Sequence, residues 1–441
     1  MGNGKKMTGS RRRKRRAPRR TSTKPGASTT GREVVLHLDS IAHGGEAFGR
    51  HEGKVIFVPY AIPGEDVRVR VVKEKKTWAR ARLLDVITPS PDRIEPPCPY
   101  FGPDGCGGCQ WQHIDYRRQL LLKQEIVADQ LRRLGHIEAP PVKEVLAVGE
   151  PFHYRNHMQF TVAPDGRLGL LRAESHQVIP VDTCLLLHPL LAELYQALEL
   201  GWEGLRRVVL RAGVNTGERM VILETDEEEA PELEVDMPVS VVLHRPKKPP
   251  FPLAGLPFIH ERVGDLTFRI SSESFFQVNT AGAEALVQRV RDYLAPKGHE
   301  TVLDLYSGVG LFGLSIASQV GLVIGIEADE SAMEDAAFNV EEMGLENVAL
   351  HEGPVEEVLQ VLWEPADMAV LDPPRSGAGE DVFVHLRRLR VRRIVYVSCD
   401  PATLARDAIY LQEQGYRLVD VQPVDMFPQT YHIETVSLWE R

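Results

Sequence analysis

Apolar positions recur along this chain in three rhythms. Between residues 33 and 90 they alternate with polar ones in short runs, Val34–Leu38, Lys54–Tyr60, Val67–Val72 and Trp78–Val86. A glycine-rich stretch, Ala42–Gly49, and the turn Ile62-Pro63-Gly64-Glu65 separate them. Short half-buried strands at this spacing predict a small five-stranded barrel of the OB type, whose open face commonly binds single strands. A helical period follows in Tyr116–Leu134, where Leu120, Leu121, Ile126, Val127, Leu131 and Leu134 repeat at helix spacing and Gly135 supplies a stop. Residues 150–270 read as a mixed sheet, interrupted by an acidic loop at 226–236 and a proline-rich one at 245–257.

From Thr301 the rhythm changes again. Short apolar runs alternate with helical patterns: Thr301–Tyr306, Leu311–Gln319, Leu322–Glu327, Ser331–Met343, Val348–His351, Val355–Leu362, Met368–Asp372, Val382–Leu389, Arg393–Ser398 and Thr403–Gln414. Such βα repetition predicts an α/β, doubly wound and mostly parallel sheet covered on both faces, with ligands at the carboxyl ends of its strands. The division expected is a disordered basic tail at 1–32, the barrel at 33–90, a small mixed α+β domain at 91–265 and the α/β domain at 266–441.

Composition changes this picture in one place. The net charge is −10, yet residues 1–32 hold 12 Lys/Arg and no Asp/Glu, leaving 40 basic against 62 acidic residues in the rest. A basic tail on an acidic body points to nucleic acid, with a solubilising tail or an organelle leader as alternatives. The barrel adds Arg68, Arg70, Lys73, Lys75, Lys76, Arg80 and Arg82. No apolar run is long enough to span a membrane and no apolar segment follows the basic N-terminus, so a monomer in the cytoplasm is expected.

Five cysteines are too few for a disulfide framework in 441 residues. Cys98, Cys106 and Cys109 fall within twelve residues, with Gly107-Gly108 inside the tight pair, and Cys184 is the one remaining cysteine in that half. Four thiolates suit zinc or an iron–sulfur cluster, and a tight triplet with one distant partner leans toward the cluster.

In the α/β half, Asp304-Leu305-Tyr306-Ser307-Gly308-Val309-Gly310-Leu311-Phe312-Gly313 closes the first strand, and Glu327 follows about twenty residues on. These glycines alone do not separate NAD from S-adenosylmethionine. The strand-end acid Asp304 and the turn Asp372-Pro373-Pro374-Arg375 favour S-adenosylmethionine, a cationic ligand with an amino-acid tail. Cys399 closes the fifth strand ahead of Pro401, where a helix N-terminus would favour its thiolate. A thiolate there can add to carbon 6 of a pyrimidine and make carbon 5 nucleophilic. Glu434, just before the last strand, is the candidate base for the carbon-5 proton.

The same residues carry a resemblance. The glycine turn, Phe57-Val58-Pro59 and Pro63-Gly64-Glu65 make 33–90 similar to a TRAM domain. Cys106-Gly107-Gly108-Cys109-Gln110, Phe275-Phe276-Gln277-Val278-Asn279, Asp304–Gly310, Asp372–Gly377, Ser398-Cys399-Asp400-Pro401 and Phe427-Pro428-x-Thr430-x-His432-x-Glu434 make the chain from about 33 to 441 resemble the TrmA/RumA-type RNA uracil-5-methyltransferases. The resemblance implies a class I S-adenosylmethionine-dependent methyltransferase domain and a 4Fe-4S cluster on Cys98, Cys106, Cys109 and Cys184. It implies that Gln277, Tyr306, Glu327 and Asp372 contact S-adenosylmethionine or the target base. It makes Cys399 the nucleophile and Glu434 the proton acceptor. The expected substrate is RNA, ribosomal (23S) ahead of transfer RNA. A cytosine-5 methyltransferase and a non-catalytic RNA-binding iron–sulfur protein are the rival readings.

Overall fold

The computed structural model describes residues 31–441, so the tail assigned to 1–32 lies, but for its last two residues, outside the described residues. Strands β1 (Glu33–His37), β2 (Ser40–Ile41), β3 (Ala47–His51), β4 (Lys54–Val58), β5 (Asp66–Glu74) and β6 (Trp78–Thr88) form one sheet in the order β1-β5-β6-β4-β3-β2. The Asp39 N–H donates to the Phe48 carbonyl at 2.8 Å, which returns β3 to the end of β1 and curls the sheet closed. Alternate residues Val34, Leu36, Val67, Val69, Val71, Ala79 and Ala81 point inward and make its core. The basic face is more compensated than the sequence implied. Arg68 pairs with Asp85, Arg70 with Glu33, Arg80 with Glu46 and Glu174, and Arg82 with Asp104.

The next segment contributes to two layers. Helix α1 (Tyr116–Arg133) and the short strand β7 (Leu146–Ala147) precede a seven-stranded sheet. That sheet contains β8 (His157–Val162), β9 (Leu168–Leu171), β10 (Val178–Pro180), then helix α2 (Pro189–Ala197), then β11 (Leu205–Ala212), β12 (Arg219–Thr225), β13 (Ser240–His244) and β14 (Phe251–Ala254). Its order is β10-β9-β8-β11-β12-β13-β14, antiparallel except for the parallel pair β12–β13, so it is mixed. A hairpin, β15 (Phe258–Val263) and β16 (Leu266–Ser271), follows.

The last part runs α3 (Thr280–Leu294), β17 (Thr301–Leu305), α4 (Leu311–Ile316), β18 (Leu322–Glu327), α5 (Glu330–Glu342), β19 (Val348–Glu352), α6 (Val355–Val361), β20 (Met368–Leu371), α7 (Glu380–Arg388), β21 (Arg393–Ser398), α8 (Pro401–Glu413), β22 (Arg417–Asp425) and β23 (Glu434–Glu440). The sheet order is β19-β18-β17-β20-β21-β23-β22-β7; the first five strands are parallel and β23 runs against β21 and β22. Successive side chains feed two cores. Val302, Val323, Val370, Val395 and Val397 pack with α3, α4 and the β15–β16 hairpin. Leu303, Ile324, Ala369, Ile394 and Tyr396 pack with α6, α7 and α8. Both faces are buried, which is why these strands read as continuous apolar runs.

The second core also takes Leu122, Ile126, Val127 and Leu131 from α1, while β7 pairs in parallel with the end of β22. Part of the expected 91–265 unit thus packs on the eight-stranded sheet. Helix α1 and β7 extend that sheet and its second core, α1 covering apolar surface beside α8 and β22. Among the described residues no helix is long and apolar enough to cross a membrane.

Candidate active site and cysteine cavity

The glycine-rich loop after β17 is built by two carboxylates. Asp304 Oδ2 accepts the Gly313 N–H at 2.7 Å, and a Cβ at Gly313 would sit 2.6 Å from that oxygen. Only glycine fits there. Asp304 is thus turned into its own loop rather than toward a ligand. Burial pushes its carboxyl up to about 7, against the Gly313 N–H and with the Asp372 and Glu327 charges. Glu327 closes β18 and accepts from the N–H groups of Gly308 (2.8 Å), Ala328 (2.7 Å) and Asp329 (2.9 Å). These bonds fix the loop against the end of β18. Tyr306, at φ +60°, begins the loop.

Asp372 follows β20 and receives Gln277 Nε2 at 3.3 Å. Gln277 lies ahead of α3 in an irregular stretch shaped by the central sheet. The buried Arg211 guanidinium on β11 donates to the carbonyls of Ser271 (2.8 Å) and Ser274 (2.7 Å), and Asn156 Nδ2 donates to the Gln277 carbonyl at 3.1 Å. Asn279 then caps α3 through the Gly282 N–H and donates to the Met426 carbonyl at 3.2 Å.

Strand register brings the two candidate catalytic groups together. β21 and β23 are antiparallel with Ser398 opposite Thr435, and Thr435 Oγ1 donates to the Ser398 carbonyl at 3.1 Å. Continued by one residue, that register sets Cys399 across from Glu434, and cross-strand Cβ atoms lie about 5 Å apart. Glu434 is buried, and among the described residues its Oε1 has no hydrogen-bond partner. An unpartnered buried carboxyl oxygen is costly unless it stays protonated or meets a ligand. Burial and then the Asp372 charge hold this carboxyl well above its ordinary range, opposed by Arg375. Asp372 itself is pushed up to about 7 by burial.

Cys399 departs from expectation. The first N–H groups of α8 go to Asp400, whose Oδ1 accepts from Ala402 and Thr403 at 2.9 Å each, rather than to sulfur. Burial, with the Glu434 and Asp372 charges, pushes the thiol up to about 11, and Arg375 is the cation that pulls it down. Asp400 is drawn to about 2: burial raises it, but His43 and the two helix N–H groups prevail. His43 belongs to the barrel's glycine turn and lies 3.4 Å from Asp400. A Cβ at Gly45, in that same turn at φ +82°, would lie 2.5 Å from the Tyr431 Cβ. The barrel therefore touches both catalytic loops.

Gln277, Asp372, Cys399 and Glu434 converge at the carboxyl end of β20, β21 and the start of β23, with Tyr306 and Glu327 on the neighbouring strands. Arg375 and His43 were missed as site residues. Arg375 stood in the Asp372-Pro373-Pro374 turn and was legible; His43 had no local signal. His432, beside Phe427 and Tyr431, is pushed down to about 4 by burial and by Arg375, Lys123 and Arg155.

The other four cysteines lie apart. Cys98, Cys106, Cys109 and Cys184 line one cavity of about 90 Å³, closed by Tyr100 and Leu186 among others. All four are free and half-buried. Gly108 N–H points at Cys106 Sγ at 3.4 Å. Burial raises the thiols of Cys106 and Cys184, and Cys109 to about 12. A tetrahedral zinc needs thiolates within about 4 Å of one another; among the described residues no three His, Cys, Asp or Glu gather to hold one metal ion. The thiols surround a space rather than a point.

Comparison with known proteins places the chain among relatives of one family. A family model for tRNA (uracil-5-)-methyltransferase matches residues 259–441, and a TRAM-domain model matches residues 27–84. An uncharacterized RNA methyltransferase of Streptomyces coelicolor is 40% identical over 440 residues, covering 94% of each chain. One from Halalkalibacterium halodurans is 38% identical, over 92% of this chain and 96% of its own. The crystal structure of Pyrococcus abyssi tRNA (uracil-54, C5)-methyltransferase with S-adenosyl-L-homocysteine superimposes with a TM-score of 0.74 at 27% identity, covering 92% of this chain and all of that one.

Proposed function

We propose a reaction that starts from one premise: the chain belongs to the tRNA (uracil-5-)-methyltransferase family. It is an S-adenosylmethionine-dependent RNA methyltransferase of the uracil-5 class, and the methyl group goes to carbon 5 of one uridine. The observation that carries the mechanism is the β21–β23 register, which sets Cys399 across from Glu434 next to Asp372 and Gln277.

Cys399 Sγ, as thiolate, bonds to carbon 6 of the uracil, and the electron pair moves onto carbon 5 and the carbon-4 carbonyl. Carbon 5 then takes the methyl group, converting the sulfonium of the donor to a thioether. Glu434 accepts the carbon-5 proton, the carbon 5–carbon 6 double bond re-forms, and the thiolate leaves. Arg375 is placed to favour the thiolate. Burial and the Asp372 charge raise the Glu434 carboxyl in the free protein; a bound cationic donor would favour the ionised form of both carboxyls and so ready the base. Tyr306, Glu327, Asp372 and Gln277 form the cradle for S-adenosylmethionine and the base.

Cys98, Cys106, Cys109 and Cys184 would hold a 4Fe-4S cluster, supported by four thiols around one cavity. Such a cluster supplies a rigid cross-link between distant loops and electron-transfer capacity. The RNA is proposed to be 23S ribosomal RNA, on the joint presence of a TRAM domain and four cysteines, bound by a monomer. The solved relative acts on transfer RNA, which favours that substrate as the second reading. Mapping 5-methyluridine in both RNAs of a deletion strain decides between them.

The covalent step is tested with 5-fluorouridine RNA, whose carbon-5 fluorine no base can remove. Incubation with donor should leave RNA bonded to Cys399 on a denaturing gel. Glu434→Gln should trap the same adduct with ordinary RNA and lower turnover by about 10²- to 10⁴-fold. Absence of both adducts overturns the mechanism.

A further inference from the structure

Between β22 and β23 the chain leaves the sheet for Met426–Ile433, a largely buried segment without a strand partner. Several of its main-chain oxygens accept from outside the segment, and the Phe427 carbonyl also accepts from Thr430 within it. The Lys123 ammonium, fully buried against Asp425, donates to the Phe427 carbonyl at 3.1 Å. Tyr154 OH donates to the Pro428 carbonyl at 3.1 Å. The Gln429 carbonyl takes two N–H groups, from Gln110 at 3.1 Å and Trp111 at 3.0 Å, the residues that directly follow Cys109.

A reciprocal amide pair locks this junction. Gln429 N–H donates to Gln119 Oε1 at 3.1 Å, and Gln119 Nε2 donates back to Gln429 Oε1 at 3.0 Å. The same Nε2 reaches the carbonyls of Ile114 at 2.9 Å and Trp111 at 3.2 Å, tying the pair to the end of the cysteine loop. Gln119 is fully buried, Gln429 nearly so, and Gln429 sits at φ +69°. That left-handed conformation needs support from its surroundings. Glu434 lies at the end of this segment, and its Oε1 has no tether of its own. Its aim depends on the backbone that leads into it.

We propose that Gln119 and Gln429 are positioning residues: a clamp through which the cysteine loop holds the Phe427–Glu434 segment so that Glu434 meets the carbon-5 proton. The proposal rests on the covalent reading above and adds to it a role for the cysteine loop as a brace for the base. It predicts a defect confined to proton removal, after the bond to Cys399 has formed.

The test uses Gln119→Met, which removes both bonds of the pair, and Gln429→Met, which removes the bond to Gln429 Oε1 and keeps the backbone one; both keep side-chain length. Substrate is ribosomal and transfer RNA from a strain lacking the gene, and rates are normalised to folded sites counted by bound S-adenosylhomocysteine. Each variant should lose about 10- to 100-fold in kcat, the range expected for a misplaced catalytic group, with KM for S-adenosylmethionine within about twofold. Each should accumulate covalent RNA–protein adduct during turnover, and the double variant should be little worse than either single one. A purely structural defect would instead lower adduct and turnover together. Wild-type kcat in both variants, or a kcat loss without adduct, overturns the clamp. Failure of the wild-type protein to form adduct on 5-fluorouridine RNA sinks the covalent reading and the clamp with it; adduct there with unimpaired variants sinks the clamp alone.

Discussion

Two kinds of cysteine share this chain, and their surroundings differ more than their burial. Cys399 is half-buried at a strand end, with Glu434, Asp372 and Asp400 as anions and Arg375 as cation around it. The other four are also half-buried, but they share a mostly apolar cavity between loops, with each other, a few backbone N–H groups, Gln112 and Arg155 around them. In both places burial raises the thiol. At Cys399 the thiol also responds to neighbouring charges that a cationic donor can reverse. In the cavity it responds chiefly to exclusion of water, which a metal-bound thiolate state would offset. A thiol set among adjustable charges suits chemistry that must begin and end; one set in an apolar wall suits a permanent bond.

The sharpest way to break this contrast is to remove one sulfur of each kind. Cys399→Ala should abolish methylation, by at least about 10⁴-fold, while leaving iron content and donor binding intact. Cys109→Ser should instead remove the iron and leave part of the turnover. Protein purified without air should carry about four iron and four sulfide per chain, and the variant should lose both. Its turnover should fall by about 10-fold to 100-fold through the brace on the base, with donor affinity kept. Stoichiometric zinc in the wild-type protein, or iron in the variant, would erase the distinction. The smallest effect expected is Arg375→Ala. Arg375 holds the Cys399 thiol down, so its loss moves that pKa further above about 11. Less thiolate is then present at neutral pH, and adduct formation should fall by about 10-fold for every pH unit by which the thiol's titration moves up. The defect should shrink as pH rises toward the thiol's own pKa. A loss that is flat with pH would show that Arg375 acts on RNA instead.

The barrel gives a second contrast with the sequence. Its seven basic residues suggested a positive face, yet four of them are in ion pairs across strands or to the cysteine loop. Exposed pairs of this kind are worth at most about 1 kcal/mol, so phosphates can exchange for the acids at little cost.

Residue order alone determined the strand and helix alternation after Thr301, the glycine loop with its two flanking acids and the cysteine grouping, and it marked Cys399, Asp372 and Glu434 as candidates. Those are properties of local period, turn chemistry and residue type, which need no distant partner to be read. Tertiary structure decided the rest. It turned Asp304 inward onto Gly313, gave the α8 N-terminus to Asp400 instead of to sulfur, moved α1 and β7 onto the catalytic sheet, and joined Gln119 to Gln429 across 310 positions of sequence. Each of these depends on which buried polar group finds which partner and which apolar face is left uncovered, and that is settled only when the layers pack.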